Sequence, residues 1–409
     1  MSTPFYDLAS LVVVPSGYKA SKVYAQKPLT TDGQLAFSRA STATRVNASG
    51  LIETVSSNVP RLDYLGSTCP KLLLEPQRVN LALQSSAIDN AAWIKGNSPI
   101  ITTNIATAPD GTTSADGIQD STGGSYKTIA QNISLSANST LTLSFFVKKE
   151  TSETAFGGFT MYFQGSTAKI VYGIVNAVTG AVTYASSTLT PTTKVEDYGT
   201  YWRIASTATD NGSNTLCSIG YYGTLSANGT SLSPAIGSVR TVWGFQAEIG
   251  AYATSYIPTL GAAVTRGADV ASITDLTSKG IIPSSSSFTA FFELELLGNE
   301  TPDDKIRLTD SDAVPRAYLY RSTAGVTAWS NTENIDMLTN NKIAYTANSA
   351  TSISFYENGS LTETFTDTGA NPLTFERLSL SGSNGAFLVK QLILFPSALT
   401  PAQLAELTA

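Results

Sequence analysis

Apolar and polar residues alternate with period two along much of this 409-residue chain, and WGFQAEIG at 243–250 shows it most clearly. Trp243, Phe245, Ala247 and Ile249 fall on one face; Val242, Gly244, Gln246 and Glu248 fall on the other. That is the pattern of a half-buried strand with its apolar side inward. Gly250 ends the run, and Pro258 cannot donate to a sheet ladder. The segment therefore reads as the last core strand of a β-domain, with Trp243 and Phe245 in the core and TSYIPT (254–259) leaving as an extended strap.

The same reading places strands at LTLSFFVKK (141–149), YWRIASTAT (201–209), FTAFFELELLG (288–298) and LVKQLILFP (388–396), the last suited to a sandwich interior. GIVNAVTGAVTYA carries a Thr179–Gly180 turn between two β runs, and TRVNASGLIETV a turn at Asn47 to Gly50. In ISFYENGSLTETF, Asn358–Gly359 is the pair preferred by a type I′ hairpin. One helix is predicted in LTPAQLAELTA, with Thr400 as N-cap, Pro401 at the first position and Gln403 closing a capping box. Residues 1–85 are irregular and rich in turns, and CPKLLLEP sets three leucines between prolines, as in a short strand or clamp. Residues 86–268 repeat strand and turn as a jelly roll does. TRGADVASITDLTSKGIIPSSSSFT reads as the boundary before a third region, 269–409.

Charged residues make up only 14% of the chain, and Ser, Thr, Asn and Gly take their place, which disfavours helical surfaces and predicts an all-β protein. A net charge of −6 supplies no cationic excess for nucleic acid. Within residues 1–80 eight Lys or Arg face five acids, a mildly basic head on an acidic body. Cys69 and Cys217 match no zinc or redox spacing and read as buried thiols. No signal-like segment opens the chain and no apolar run is long enough to span a membrane, so synthesis and folding in a cytoplasm are expected.

The chain has no histidine, which removes Ser-His-Asp triads, Cys-His nucleophiles and His-based zinc sites. Glu293 and Glu295 lie two apart on one predicted strand and share a face about 7 Å apart. With Phe292, Leu294 and Leu296 inward they face solvent or a neighbour, parallel rather than converging across a cleft as a glycosidase pair must. Asp303, Asp304, Asp310 and Asp312 are hard oxygen ligands suited to calcium, or simply a polar loop of an acidic protein. Tyr221, Tyr222 and Trp329 are candidates for stacking on sugars; the two tyrosines are adjacent, so at most one is expected in the core. Nothing in the sequence calls for a cofactor.

PSGYKASKVYAQKP (15–28), FSRASTATRVNASGLIETV (37–55) and NVPRLDYLGSTCPKLLLEPQRVNLALQSS (58–86) together resemble the N-terminal region of head-fibre or head-spike proteins of tailed bacteriophages, most like those of Bacteroidetes phages. DYGTYWRIAST (197–207) and WGFQAEIGAYATSYIPTLGAAVTRGADV (243–270) resemble the carbohydrate-binding-module-like jelly roll of such proteins, although YWR stands where they often carry a GWYR-like run. The last 130 or so residues resemble laminin-G or concanavalin-like sandwiches. The resemblance implies an all-β virion protein: an attachment region at 1–85, a jelly roll at 86–268 and a concanavalin-like sandwich at 269–409. It implies a head fibre making weak contacts with host-surface glycans, with a receptor-binding tail fibre as the alternative and a polysaccharide depolymerase as the rival from another class. It also implies a homotrimer held to capsid or tail proteins through residues 1–85. The apolar runs LVVV (11–14) and LLL (72–74) fit that assembly if symmetric association covers them. On this division, a fragment 86–409 should be soluble and melt cooperatively.

Overall fold

The computed structural model describes residues 3–120, 126–151, 156–185, 187–211, 213–225, 236–283, 287–298, 303–309, 315–322, 325–328, 340–349, 352–366, 375–381 and 385–409. The described residues are almost all β, with two short α-helices, Thr3–Leu8 and Pro401–Thr408, and one 3-10 turn, Thr31–Gly33. They form two compact units: Met1–Ala48, Val55–Gln77 and Gly267–Ala409 in one, Ser49–Thr54 and Arg78–Arg266 in the other. The second boundary falls within two residues of the expected one. The first does not: residues 1–77 belong to the same unit as the C-terminal part, so the expected separate region 1–85 is corrected.

The unit that the chain leaves and re-enters is a split sandwich. One antiparallel sheet runs in the order Ser360–Thr366, Ser352–Glu357, Asn340–Ser349, Phe288–Leu296, Phe387–Phe395, Lys71–Leu74, Leu62–Asp63, and Leu11–Val13 also pairs with 387–395. The facing sheet runs from Tyr18–Lys19 through Lys22–Val23, Leu35–Ser38, Val270–Thr274, Arg377–Ser381, Asp303–Thr309 and Pro315–Ser322 to Gly325–Ala328. Phe288, Phe292, Leu294, Val389 and Leu392 meet Leu35, Phe37, Ile273, Leu378 and Ile306 in one core. As expected, LVKQLILFP lies inside, and Asn358 (φ 46°) and Gly359 (φ 84°) both take the left-handed conformation of a type I′ turn. The capping box at Thr400 and Gln403 is present. Leu11, Val12 and Val13 are fully buried and Leu72 to Leu74 nearly so, all within this one chain. These runs therefore supply no argument for a trimer.

The N-terminal motifs meet in a buried ion cluster. Arg39 (from FSRAS) donates to Asp269 Oδ1 at 3.1 Å, and Arg61 (from NVPRLDY) donates to Glu75 Oε2 at 2.6 Å and to Asp269 Oδ2. The Glu75 N–H donates to Asp269 Oδ2 at 2.9 Å, and Arg39 also donates to the carbonyls of Ser41, Ser56 and Val59. All four charged residues are essentially inaccessible. Each charge is matched, which is the condition for burying any of them.

The second unit is a jelly roll of twelve strands: β1 Ile94–Gly96, β2 Ile100–Thr107, β3 Thr113–Gln119, β4 Thr128–Ser134, β5 Thr140–Lys148, β6 Phe156–Gly165, β7 Lys169–Asn176, β8 Val182–Tyr184, β9 Thr192–Tyr198, β10 Tyr201–Thr209, β11 Asn214–Leu225 and β12 Val239–Ile249. One sheet is ordered β1-β4-β11-β6-β7-β8 and the other β2-β3-β12-β5-β10-β9. Phe145, Phe159, Met161, Phe163, Ile219, Tyr221 and Phe245 fill the space between them. Entry and exit are tied together, because Arg78–Asn80 pairs antiparallel with Val264–Arg266.

Period two is broken within the stretch that shows it most clearly in the sequence. Ser144 pairs with Gln246 but Phe146 with Trp243, so β12 carries one extra residue at Gly244, whose φ is 65°. A β-bulge of this kind turns the following side chains over. Phe245 and Ala247 point into the core, whereas Trp243, Gln246 and Glu248 point outward, and Ile249 is exposed. Trp243 is still buried because the strap folds back over it, with the Tyr256 ring centroid 4.5 Å away. Gln246 Oε1 accepts from the Ile257 N–H at 2.6 Å, Glu248 accepts from the Thr254 N–H and hydroxyl at 2.9 and 2.5 Å, and Arg203 donates to the Thr254 carbonyl at 2.6 Å. The strap thus covers the outer face of this sheet over β12, β5 and β10.

Burial pushes the Glu248 carboxyl above the ordinary range despite these bonds, and burial likewise raises Asp116, which accepts from the Ile88 and Asn104 N–H groups. Both groups hold protons in the folded state at a pH where the unfolded chain has lost them. Their contribution is full below the unfolded carboxylate range and is lost as pH rises through the folded values. Melting followed by tryptophan fluorescence, to which Trp93, Trp202 and Trp243 contribute from this unit, should move to higher temperature between about pH 7 and about pH 5. A midpoint that falls over that interval would contradict the assignment.

Candidate functional site: the open face of the jelly roll

With one face strapped over, the jelly roll presents the outer face of β1-β4-β11-β6-β7. Phe159, Met161 and Phe163 point inward from β6, so Gly158, Thr160, Tyr162 and Gln164 point outward; the same parity puts Ser218, Gly220 and Tyr222 outward on β11 and Tyr172 outward on β7. Register sets these residues in rows. Tyr162 lies beside Ser218, Thr160 beside Gly220 and Tyr172, and Gly158 beside Tyr222, which is flanked in turn by Thr128.

The result is a trough. Its floor is Thr128, Ala130, Ser218, Gly220 and Thr160, none with a side chain larger than threonine's. At one end stands Tyr162, 38% exposed; at the other stands Tyr126, 36% exposed, packed edge-on against Tyr222 with ring centroids 5.5 Å apart. Tyr172 contacts Tyr222 at 6.2 Å across the central strand. That approach depends on Gly158, where a Cβ would lie 2.7 Å from Leu225 Cδ1 and 3.4 Å from the Tyr222 ring. Ile94, on the edge strand beside Ala130, adds an exposed apolar flank. Rings with hydroxyl rims beside threonine and serine hydroxyls can stack on a sugar and hydrogen-bond to it.

The sequence candidates divide. Tyr221 is in the core and fully buried, and Tyr222 is only 9% exposed, packed with Ile174, Ala185 and Leu225. At most one had been expected inside; both are covered, because the outer face at this end of the sheet has a small apolar cluster of its own. Tyr221 is therefore corrected to a core residue, and Tyr222 to a support for Tyr126 rather than an open platform. Burial drives both phenols upward in pKa. The Tyr221 hydroxyl finds no hydrogen-bond partner among the described residues, nor does that of Tyr345 in the split sandwich. Tyr221→Phe and Tyr345→Phe should each raise stability by about 1 kcal/mol, read as a higher denaturant midpoint, since a buried hydroxyl without a partner costs more than it returns. A drop of similar size would mean that the hydroxyl is bonded.

Trp329, Asp310 and Asp312 lie outside the described residues; Asp303 and Asp304 open the strand 303–309, and their side chains lie outside them too. No group of carboxylates placed to hold a metal occurs among the described residues. Glu293 and Glu295 do point away from the core, as expected, and both are engaged: Lys71 Nζ is 2.6 Å from Glu295, and Lys390 Nζ is 3.9 Å from each. Cys217 is buried as expected, but Cys69 is exposed; both are free thiols. Tyr126, Tyr162 and Tyr172 were missed. The alternation FTMYF already turns Tyr162 outward, but nothing local shows that it shares a trough with Tyr126.

No protein-family model matches the chain and no curated protein is similar to it. Among solved structures the chain is similar to domain 4 of a GH43 extracellular arabinanase from Geobacillus stearothermophilus bound to arabinotriose, at 16% identity over 38% of this chain and 81% of that one, with a TM-score of 0.27. It is similar to the tandem CBM22 domains of a Paenibacillus barcinonensis protein at 9% identity over 79% of this chain and 99% of that one, TM-score 0.27. A Trypanosoma rangeli sialidase in complex with sialic acid gives 8% identity over 71% of this chain and 59% of that one, TM-score 0.25.

Proposed function

We propose that this chain is a glycan-binding virion protein without hydrolytic activity, a head fibre that holds host-surface polysaccharide in the tyrosine-ended trough of its jelly roll. The trough carries the binding part of this reading: exposed tyrosines at both ends of a floor of small residues, three of them hydroxyl-bearing, on the sheet that the strap does not cover. The virion part rests on the resemblance of the N-terminal motifs, and so does assembly as a homotrimer. Binding rather than hydrolysis is favoured because no histidine is present and because Glu293 and Glu295 are tied to lysines on one strand. A shallow face with so few rings gives weak single-site affinity, on the order of millimolar. Many copies on one particle then supply avidity.

Affinity electrophoresis through gels containing host capsular polysaccharide tests this. The wild type should be retarded, and Tyr162→Ala and Tyr126→Ala should each largely abolish the retardation while leaving the melting temperature within a degree or two. Equal retardation of all three proteins would remove the trough from consideration. Release of defined oligosaccharides from the polysaccharide would replace binding by catalysis.

A further inference from the structure

The trough has a chemical preference written into its strands. The five strands that build it carry two charged residues, Lys95 and Lys169. Lys95 pairs with Ile129 and Lys169 with Phe163, both of which point into the core, so neither lysine sits at an outward position of the sheet. Lys95 is also spent locally, donating to the main-chain oxygens of Asp89 and Asn90. Every outward position that can be followed across the sheet is neutral: Ile94 and Gly96, then Thr128, Ala130, Asn132 and Ser134, then Leu216, Ser218, Gly220 and Tyr222, then Gly158, Thr160, Tyr162 and Gln164, then Ile170, Tyr172 and Ile174. Among the described residues no arginine or lysine holds an outward position of these strands to meet a carboxylate or a sulfate, and recognition of such groups relies on charge-assisted bonds. The chain as a whole is acidic, with a net charge of −6, which adds a long-range repulsion against polyanions.

The spacing of the rings fixes how a ligand would lie. Tyr162 shares a row with Ser218, and Tyr222 stands four residues further along the same strand as Ser218. At the rise of an extended strand that is about 13 Å. A single sugar ring at one end would leave the other end empty, whereas a chain laid along the strands reaches both. Resting on the reading proposed above, we infer that the trough takes an uncharged polysaccharide, bound along the strand direction as a stretch of several sugar units, and discriminates against uronic-acid-containing, sialylated and sulfated chains.

The experiment uses the full chain and its Tyr162→Ala variant in affinity electrophoresis against neutral polymers (a glucan, a mannan, a xylan, a galactan) and acidic ones (alginate, hyaluronan, polysialic acid, heparin). Each is run at low and at near-molar salt. Retardation by at least one neutral polymer is expected, changing less than about twofold with salt because no ion pair is there to screen, and lost in Tyr162→Ala. Oligosaccharides cut from that polymer should compete roughly tenfold or more better than its monosaccharide. Retardation confined to acidic polymers, collapsing at high salt but still lost in Tyr162→Ala, would overturn the preference and leave glycan binding at this face standing. Competition as effective from the monosaccharide as from the oligosaccharide would overturn the lengthwise mode. Retardation by no polymer would overturn the preference together with the binding reading on which it rests.

Discussion

Replacing Asp269 by alanine will unfold the split sandwich and leave the jelly roll intact. Asp269 sits between two arginines with no access to water, one carboxylate oxygen toward Arg39 and the other toward Arg61 and the Glu75 N–H. Removing it takes a carboxylate from two buried guanidinium groups at once, and breaking a buried pair from one side costs about 3–5 kcal/mol. That is a large part of the stability of an ordinary domain, roughly 5–15 kcal/mol. Hydrogen exchange read by mass spectrometry locates the loss: amides of 288–296 and 387–395 should lose protection, while those of 140–148 and 239–249 keep it. Equal loss in both sets would mean that the two units melt as one. Asp269→Asn, which keeps the shape but not the charge, should fall between alanine and the native residue.

Deleting residues 1–77 should be harsher still. Leu11 to Val13 and Leu72 to Leu74 follow one another along one edge of the strand 387–395, opposite the strand 288–296, and all six side chains are buried. Each contributes about 1.5–3 kcal/mol on burial, so their summed loss is comparable to the whole stability of an ordinary domain. The fragment 86–409 is accordingly expected to be insoluble, in reversal of what the sequence suggested. A fragment 78–266 should be soluble, because its two ends pair with each other and its core draws on its own strands. Recovery of 86–409 as a monomer with a sharp melting transition would show that the N-terminal strands are dispensable.

What could be read from the sequence was whatever depends on neighbours a few residues apart. Phe292 and Leu294 inward with Glu293 and Glu295 outward, the Asn358–Gly359 turn and the Thr400–Gln403 box are all local consequences of strand parity, left-handed backbone or capping, and all are present. What could not be read depends on one residue's backbone or on distant pairing. Gly244 reads as an ordinary small residue within an alternation, yet the bulge at its positive φ sets Trp243 and Phe245 on opposite sides. Leu11–Val13 looked like an apolar run in need of a second chain, since its partner, Leu392–Leu394, lies some 380 residues away. The trough was hidden for the same reason. Tyr162 and Tyr172 lie on the paired strands β6 and β7, Tyr126 lies just before β4, and β4 reaches β6 only through β11; no spacing along the chain announces that register.

The short ribbon that joins Arg78–Asn80 to Val264–Arg266 has a consequence for how such a protein can diversify. The jelly roll leaves the chain and returns to it at adjacent points, so to the rest of the polypeptide it is a single loop, whatever its length. A genetic exchange with breakpoints near codons 77 and 267 would replace the whole jelly roll, with the 49–54 segment of the same unit as the outlying piece to be matched. The buried arginine cluster and the strands from both chain ends would pass through that exchange unchanged. A jelly roll with a different outer face could then be acquired in one step, without any intermediate in which the remaining fold is broken.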